Sequence, residues 1–186
     1  MALCSKKIFV IGDGGCGKTS IIKTFCNKEG PLLNLPTTLE KHVTDVEVKG
    51  KKYELHIWET LCTHHYRVSG LKTRQSIYKD TDLVIIVYDI SSRKTLESVI
   101  QKWHREVHLF CPKRTPIILV GNKKDTRSDG RVYYERTVEY KEGQAVASAI
   151  GAACFLECSA LSKEGIREVF VSAGTLFHED PSCILF

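Results

Sequence analysis

The chain has 186 residues, of which 42% are hydrophobic and 26% charged, and its formal net charge is +5. These values favour one globular domain with a sizeable core. Its basic residues lie in short scattered clusters rather than in the dense stripe of a nucleic-acid surface, so nucleic acid is not an expected partner. No apolar run approaches the ~20 residues that span a bilayer.

The sequence contains eight cysteines. The first residues, MALCSKK, lead straight into a short apolar segment and do not form a signal peptide. Without a secretory route disulfides are not expected, so the thiols are predicted to be reduced.

The predicted elements alternate between apolar strands and amphipathic helices. Two segments, 82–89 and 116–121, are continuously apolar, as in strands covered on both faces. Alternation on both sides of Lys49-Gly50-Lys51 predicts a β-hairpin. This order predicts an α/β fold with a mostly parallel sheet. The full set is strand 6–12, helix 17–27, loop 28–41, hairpin 42–58, strand 82–89, helix 92–110, strand 116–121, an irregular segment 126–138, helix 139–151, strand 153–157 and helix 164–178.

The first motif is GDGGCGKTS at 12–20, which fits G-x-x-x-x-G-K-[ST] between a predicted strand and a predicted helix. The glycines let successive backbone N–H groups point at phosphate oxygens. Lys18 supplies a positive charge for the β- and γ-phosphates, and the Thr19 hydroxyl suits Mg²⁺. The expected nucleotide-binding residues here are Asp13, Gly14, Gly15, Cys16, Gly17, Lys18, Thr19 and Ser20.

The second motif is NKKD at 122–125, directly after a predicted strand. The Asp125 carboxylate suits the paired N1–H and N2–H₂ donors of guanine, which adenine lacks. Asn122 is expected to contact the base and tie this loop to the first motif, while the stem of Lys123 lies over the base. Downstream, Ser159, Ala160 and Leu161 end a predicted strand, and the Ala160 N–H is a candidate donor to guanine O6.

These motifs, with KWHREVHLFCPKRTPIILVGNKKD at 102–125 and ECSALSKEGIREVF at 157–170, resemble small GTPases of the Ras superfamily, specifically the Rho family. The resemblance covers residues 5–170. It implies a P-loop NTPase fold: a six-stranded, mostly parallel sheet with helices on both faces, forming a small G domain over 1–178 with a shortened insert region at 126–138. It also implies GTP/GDP and Mg²⁺ as ligands.

The family's second switch, W-D-T-A-G-Q-E, is W-E-T-L-C-T-H here. Glu59 replaces an aspartate that orients magnesium through water. Cys62 replaces a glycine whose N–H bonds the γ-phosphate, and a side chain there restricts the backbone. Thr63 stands where the family has the glutamine that positions the attacking water. No intact catalytic set remains beside Lys18, so GTP hydrolysis is expected to be slow or absent.

Other hypotheses attach to the same segment. Cys62, His64 and His65 suggest zinc, but adjacent histidines rarely converge on one ion and no further ligand has the usual spacing. A competent GTPase that positions water with His64 or His65 also stays open. The following loop, 65–82, is longer than the family pattern. A scaffold that binds nucleotide without cycling is another alternative. A kinase acting on adenine nucleotides is distant, because the chain shows no lid arginine cluster.

The first switch corresponds to LPTTLE at 35–40, where Thr37 is the expected magnesium ligand. The family usually has aromatic residues near positions that are Gly30 and Asn34 here, so nucleotide exchange is expected to be fast. Residues 35–43 would meet effectors, and the resemblance also implies exchange factors and a Rho dissociation inhibitor as partners of a monomer.

The C-terminal sequence CILF is a prenylation motif on Cys183, and its terminal phenylalanine favours geranylgeranyl. The tail 179–186 is not polybasic. A single lipid usually requires a second membrane signal. The expected location is therefore the cytoplasmic face of a membrane, with an exchangeable cytosolic pool.

Overall fold

The computed structural model of this chain describes residues 4–27, 39–60, 71–127 and 137–179. Strands and helices alternate after an initial hairpin, as the sequence predicts. The elements are β1 (Cys4–Gly12), α1 (Lys18–Phe25), β2 (Leu39–Val48), β3 (Lys51–Thr60), α2 (Leu71–Tyr78), β4 (Leu83–Asp89), α3 (Arg93–Ser98), a π-helical segment (Val99–Trp103), α4 (His104–Phe110), β5 (Ile117–Asn122), a 3₁₀ turn (Lys124–Arg127), α5 (Tyr140–Ala149), β6 (Cys154–Glu157) and α6 (Ile166–Glu179).

The six strands form one sheet in the order β2-β3-β1-β4-β5-β6. Only the β2–β3 pair is antiparallel, and the other neighbours pair in parallel. Every residue of β4 and β5 is buried, as parallel strands covered on both faces require. The expected fold, a mostly parallel six-stranded sheet with helices, is confirmed.

Alternate residues of the central strands divide the core between the two faces of the sheet. Ile8 and Val10 of β1 pack in the cluster that contains α1 and α6 residues. Phe9 and Ile11 pack in the opposite cluster with the helical stretch 93–110 and with α5. A strand residue and its neighbour point to opposite faces, so a continuous apolar run covers the sheet on both sides.

The predicted hairpin is present but longer than expected. Val48 pairs with Lys51, which leaves a two-residue turn at Lys49 and Gly50 with positive φ at both residues, the geometry of a type I′ turn. The ladder continues to Leu39 opposite Thr60. Residues 39–41, expected in a loop, are therefore strand, because pairing with β3 stabilises an extended conformation that the local sequence does not favour.

Helix α2 has no counterpart among the predicted elements, which left 65–82 as a loop. Its sequence, LKTRQSIY, is mostly polar and has little helical periodicity. Tyr78 anchors its C-terminal end: the ring is fully buried, lies 4.7 Å from that of Phe9, and its hydroxyl donates to Glu106 Oε1 at 3.0 Å. Tertiary packing of one aromatic residue thus stabilises a helix end that sequence periodicity does not indicate.

The predicted helix 92–110 is interrupted by the π-helical segment Val99–Trp103. Such insertions are often found near functional sites. Trp103 is 1% exposed, and its indole N–H donates to Asp13 Oδ1 at 3.0 Å. The segment therefore holds the loop that follows β1.

None of the six cysteines that the structure describes takes part in a disulfide. Across the described ranges, no helix has the length and apolar character needed to cross a membrane.

Candidate functional site

The loop predicted to bind phosphate connects the C-terminal end of β1 to the start of α1. Its eight predicted residues, 13–20, are therefore contiguous at the carboxyl end of β1. Gly12 has φ 149° and a Cβ there would lie 2.1 Å from Val87 O. Gly17 has φ 89° and a Cβ would lie 2.3 Å from Asn122 Nδ2. Backbone conformation and space both require glycine at these two positions.

Lys18 is 8% exposed, and its ammonium donates to Gly12 O and Asp13 O, each at 2.9 Å. A weak further acceptor, Cys16 Sγ, lies at 3.9 Å. An ammonium has three donors. A buried lysine held by two carbonyl groups therefore keeps one N–H donor for an anion placed in the loop.

The Thr19 hydroxyl donates to Glu59 Oε2 at 2.8 Å, so α1 and the end of β3 are linked. Glu59 is fully buried, and its Oε1 has no hydrogen-bond partner. Because Thr19 donates its proton, its oxygen lone pairs remain available to a hard cation such as Mg²⁺. The Thr19 hydroxyl oxygen and the Glu59 carboxylate therefore fit a magnesium ion that Thr19 coordinates and Glu59 orients.

Asn122 joins the second motif to the first. Its Nδ2 donates to Cys16 O at 2.9 Å, while its Oδ1 accepts from the Ala160 N–H at 3.2 Å. The residue is 1% exposed. This one amide therefore fixes the relative positions of three segments that are far apart in sequence: the loop after β1, the loop after β5 and the loop after β6.

Asp125 is placed by the loop after β6. Ser159 Oγ donates to Asp125 Oδ1 at 2.5 Å, and the Ser162 N–H donates in turn to Ser159 Oγ at 3.0 Å. A carboxylate accepts about four hydrogen bonds, so Asp125 can still accept from two donors of a base edge.

The structure also places two other predicted base-loop residues. Lys123 Nζ lies 2.6 Å from Asp89 Oδ2. Leu161 is 82% exposed.

Cys16 carries the thiol of the loop at 12–20. It is fully buried. Burial raises the pKa of the Cys16 thiol, and the nearby Lys18 charge opposes this only in part. The side chain fills space in the core beside α1, and the thiolate is disfavoured at neutral pH.

Iodoacetamide is therefore expected to leave Cys16 unmodified in the folded protein at pH 7 while alkylating the half-exposed Cys4 and Cys26. Burial blocks access and keeps the thiol protonated. Peptide mass spectrometry after timed labelling measures the order in which the three thiols react. In urea, which unfolds the protein, all three should be alkylated at similar rates. Native-state labelling of Cys16 as fast as that of Cys26 would contradict the buried position.

Replacing Gly17 by alanine is expected to destabilise the protein by about 1–3 kcal/mol, since a non-glycine residue at positive φ is strained and the new methyl meets the buried Asn122 amide. Gly50→Ala is the matched control, because its φ is also positive, 74°, with nothing within 4 Å of the added Cβ. Urea denaturation measures both; equal shifts would show that the Asn122 contact contributes nothing.

Several predicted site residues lie outside the described residues: Thr37, Cys62, Thr63, His64, His65, Cys183, and the positions Gly30 and Asn34. Most of the insert region, 128–136, does too. Of the expected effector segment 35–43, residues 39–43 belong to β2, an edge strand of the sheet. Lys41 and Val43 are exposed there, whereas His42 is 4% exposed and faces inward.

Two features of the site were missed in the sequence. One is the contact of Trp103 with Asp13, which depends on the helical stretch across the sheet. The other is the position of His42 beside Glu59, with 3.5 Å between His42 Nε2 and Glu59 Oε1. The alternation of HVTDVEV places His42 on the same strand face as Val46 and Val48. From this alternation the inward position of His42 could have been predicted.

The fold and the strand–loop–helix arrangement define a small G domain of the P-loop NTPase class. A family model described as "Ras family" matches residues 7–178. Rho-related GTP-binding protein RhoB of Homo sapiens is 43% identical over 179 residues, which cover 93% of this chain and 89% of that protein. RhoB of Mus musculus and of Rattus norvegicus match to the same extent. The chain belongs to the Ras family and, within it, to the Rho-type small GTPases.

Proposed function

We propose that this Rho-type switch protein binds GTP and GDP, with Mg²⁺, between the loop at 12–20 and the loops at 122–125 and 159–161, and that it hydrolyses GTP slowly. The observation that carries the proposal is the double hydrogen bond of Asn122, to Cys16 O and from the Ala160 N–H. It joins the loop at 12–20, which suits phosphate, to the loop at 122–125, whose Asp125 carboxylate suits guanine.

Each part of the nucleotide has a complementary group in this arrangement. Lys18 and the backbone N–H groups of 13–20 suit the phosphates. Asp125 suits the N1–H and N2–H₂ donors of guanine, and Ser159 holds that carboxylate in position. Thr19, with Thr37 from the first switch, would hold Mg²⁺, and Glu59 would act on it indirectly. When bound, the ion neutralises phosphate charge.

Slow hydrolysis is proposed from the second switch. Thr63 and Cys62 replace the groups that in the family position the attacking water and bond the γ-phosphate. A threonine hydroxyl does not reach as far as a glutamine amide. The GTP-bound form would then accumulate, and its level would be set by nucleotide exchange and by protein abundance.

The first test is to identify the nucleotide. Protein purified in Mg²⁺ is denatured and the released nucleotide is separated by ion-exchange chromatography; GTP and GDP are expected, without adenine nucleotides. The dissociation of a fluorescent guanine nucleotide then gives the exchange rate, with excess EDTA as the comparison. Protein recovered empty, and unable to retain guanine nucleotides in excess Mg²⁺, would overturn the proposal.

For partners, the exposed edge of β2 is the described part of the proposed effector surface. Within the described residues β2 pairs with β3 on one side only. Exposed Lys41 and Val43 lie on this strand, and the arrangement suits a partner that recognises its outer edge. Exchange factors and a Rho dissociation inhibitor are the other partners that the family suggests.

Membrane association is proposed to depend on a prenyl group on Cys183. Cys183→Ser is expected to move the protein from the membrane fraction to the soluble fraction of expressing cells, because the modified thiol is lost. Fractionation followed by mass measurement checks this, and Cys154→Ser is a control outside the motif. Membrane association that persists unchanged without Cys183 would point to another anchor.

A further inference from the structure

A second group of potential metal ligands lies on the inward face of the β2–β3 hairpin, at the end opposite its turn. Glu40, His42 and Glu59 each offer one ligand atom, and these three atoms lie within 4.8 Å of one another. Glu40 is directly opposite Glu59 in the antiparallel ladder, and His42 is two residues along the same strand. The strand register therefore brings together one imidazole and two carboxylates.

The cluster is incompletely satisfied within the described residues. His42 is 4% exposed and Glu59 is fully buried, yet neither His42 Nε2 nor Glu59 Oε1 has a hydrogen-bond partner. The two atoms are 3.5 Å apart, and His42 Nε2 lies 3.7 Å from Glu40 Oε1. Buried polar atoms without partners are costly, so a ligand that binds both atoms would stabilise the cluster.

The charges of the cluster indicate the charge of such a ligand. Like charges directly opposite on one face of an antiparallel pair destabilise the sheet, and Glu40 and Glu59 occupy such positions. A buried carboxylate also needs a compensating charge. A cation between these residues would neutralise the carboxylates and give both orphaned atoms a partner.

The ligand atoms also indicate which cations suit the cluster. Ligand atoms around a tetrahedral zinc ion are separated by about 3.3–3.6 Å, given metal–ligand distances of roughly 2.0–2.2 Å. The two separations from His42 Nε2, 3.5 and 3.7 Å, are close to that range. Imidazole nitrogen favours Zn²⁺ and related transition ions, whereas Mg²⁺ prefers oxygen ligands only. Glu40, whose side chain is 33% exposed, provides an entry path from solvent.

We propose that Glu40, His42 and Glu59 form a binding site for a divalent transition-metal ion such as Zn²⁺, separate from the magnesium position at Thr19. Glu59 belongs to both sites through different oxygens: Oε2 accepts from the Thr19 hydroxyl, and Oε1 is directed at His42. The site rests on the hairpin and not on the proposed nucleotide function. Three protein ligands leave a position for water.

The test is a Zn²⁺ titration of the full chain, loaded with GDP in excess Mg²⁺, in competition with a chromophoric chelator. His42→Gln, which keeps a polar side chain of similar length, is expected to lower the affinity of one Zn²⁺ per chain by at least about tenfold. His56→Ala is the matched control: His56 lies on the same hairpin beside Glu54, 2.7 Å away, but outside the cluster.

A rival site must be separated from this one. His104 and His108, one turn apart on α4, have their Nε2 atoms 3.0 Å apart and are a plausible surface chelate. His108→Ala should therefore leave the proposed site unchanged. Circular dichroism and retained GDP check that each variant is folded and loaded. Zn²⁺ affinity that falls in His108→Ala and not in His42→Gln would overturn the proposal, as would the absence of Zn²⁺ binding by the unaltered chain.

Co²⁺ gives a second, independent measurement. Coordination by imidazole and carboxylate produces visible d–d bands without the intense sulfur-to-cobalt absorption of thiolate ligands. These bands are expected in the unaltered chain beyond those from Co²⁺ in the nucleotide site, and Glu40→Gln should weaken them while GDP stays bound. Thiolate absorption, or a spectrum identical in Glu40→Gln, would contradict the assignment. Because GDP retention is measured in the same sample, failure of the metal site is distinguishable from failure of nucleotide binding.

Discussion

The double variant Cys62→Gly/Thr63→Gln is expected to hydrolyse bound GTP faster than the natural chain, on the order of 100-fold, because it restores a flexible backbone position and a side chain long enough to position water. A misplacement of the attacking water by about 1 Å is sufficient for an effect of this size. Single-turnover release of phosphate from protein loaded with GTP measures both rates under the same conditions.

The control is Thr63→Asn, which supplies an amide one methylene shorter than glutamine. If reach is the physical limit, this variant stays slow. Two results would oppose the explanation. A natural chain already as fast as the double variant would show that hydrolysis is not impaired. A natural rate that collapses in His64→Ala or His65→Ala would instead support a histidine that positions the water.

The second large effect is expected from Asp125→Asn. The carboxylate is proposed to accept two hydrogen bonds from guanine, and a hydrogen bond to a charged group contributes roughly 1.5–3 kcal/mol. Affinity for GTP should therefore fall by about 100-fold or more. Asparagine retains the Oδ1 that accepts from Ser159 but adds an N–H₂ donor, so affinity for xanthosine triphosphate, which has a carbonyl at C2, should rise.

Competition of GTP and xanthosine triphosphate for the same protein measures this exchange of preference. Asp82→Asn is the control, because Asp82 accepts from Lys6 Nζ at 3.1 Å and the Lys7 N–H at 2.7 Å beside the N-terminal end of β4, away from the base loop. It removes a carboxylate without changing base selection. If Asp125→Asn weakened both nucleotides equally, Asp125 would support the loop rather than read the base.

Prediction of the fold from sequence succeeded where structure is local. The loop at 12–20 needs only its own glycines, one lysine and flanking strand and helix patterns, so nine consecutive residues carry the signal. The apolar runs of β4 and β5 likewise record burial on both faces. The hairpin turn at Lys49-Gly50 is also recognisable, because positive φ at two successive residues restricts which residues occupy them.

Prediction failed where distant segments decide the outcome. Residues 39–41 are strand because β3 pairs with them, and the end of α2 is stabilised by the packing of Tyr78 on Phe9. In each case the local sequence is compatible with more than one structure, and packing selects one of them.

By itself, the sequence determined a P-loop fold of the Rho type, a base loop with a carboxylate suited to guanine, and a second switch with altered residues. Tertiary structure alone decided that one amide, Asn122, joins three loops, that Trp103 holds Asp13, and that His42 meets Glu40 and Glu59. The physical reason is distance along the chain. A motif of consecutive residues is set by backbone conformation, whereas a contact between strands depends on a register that only the folded sheet defines.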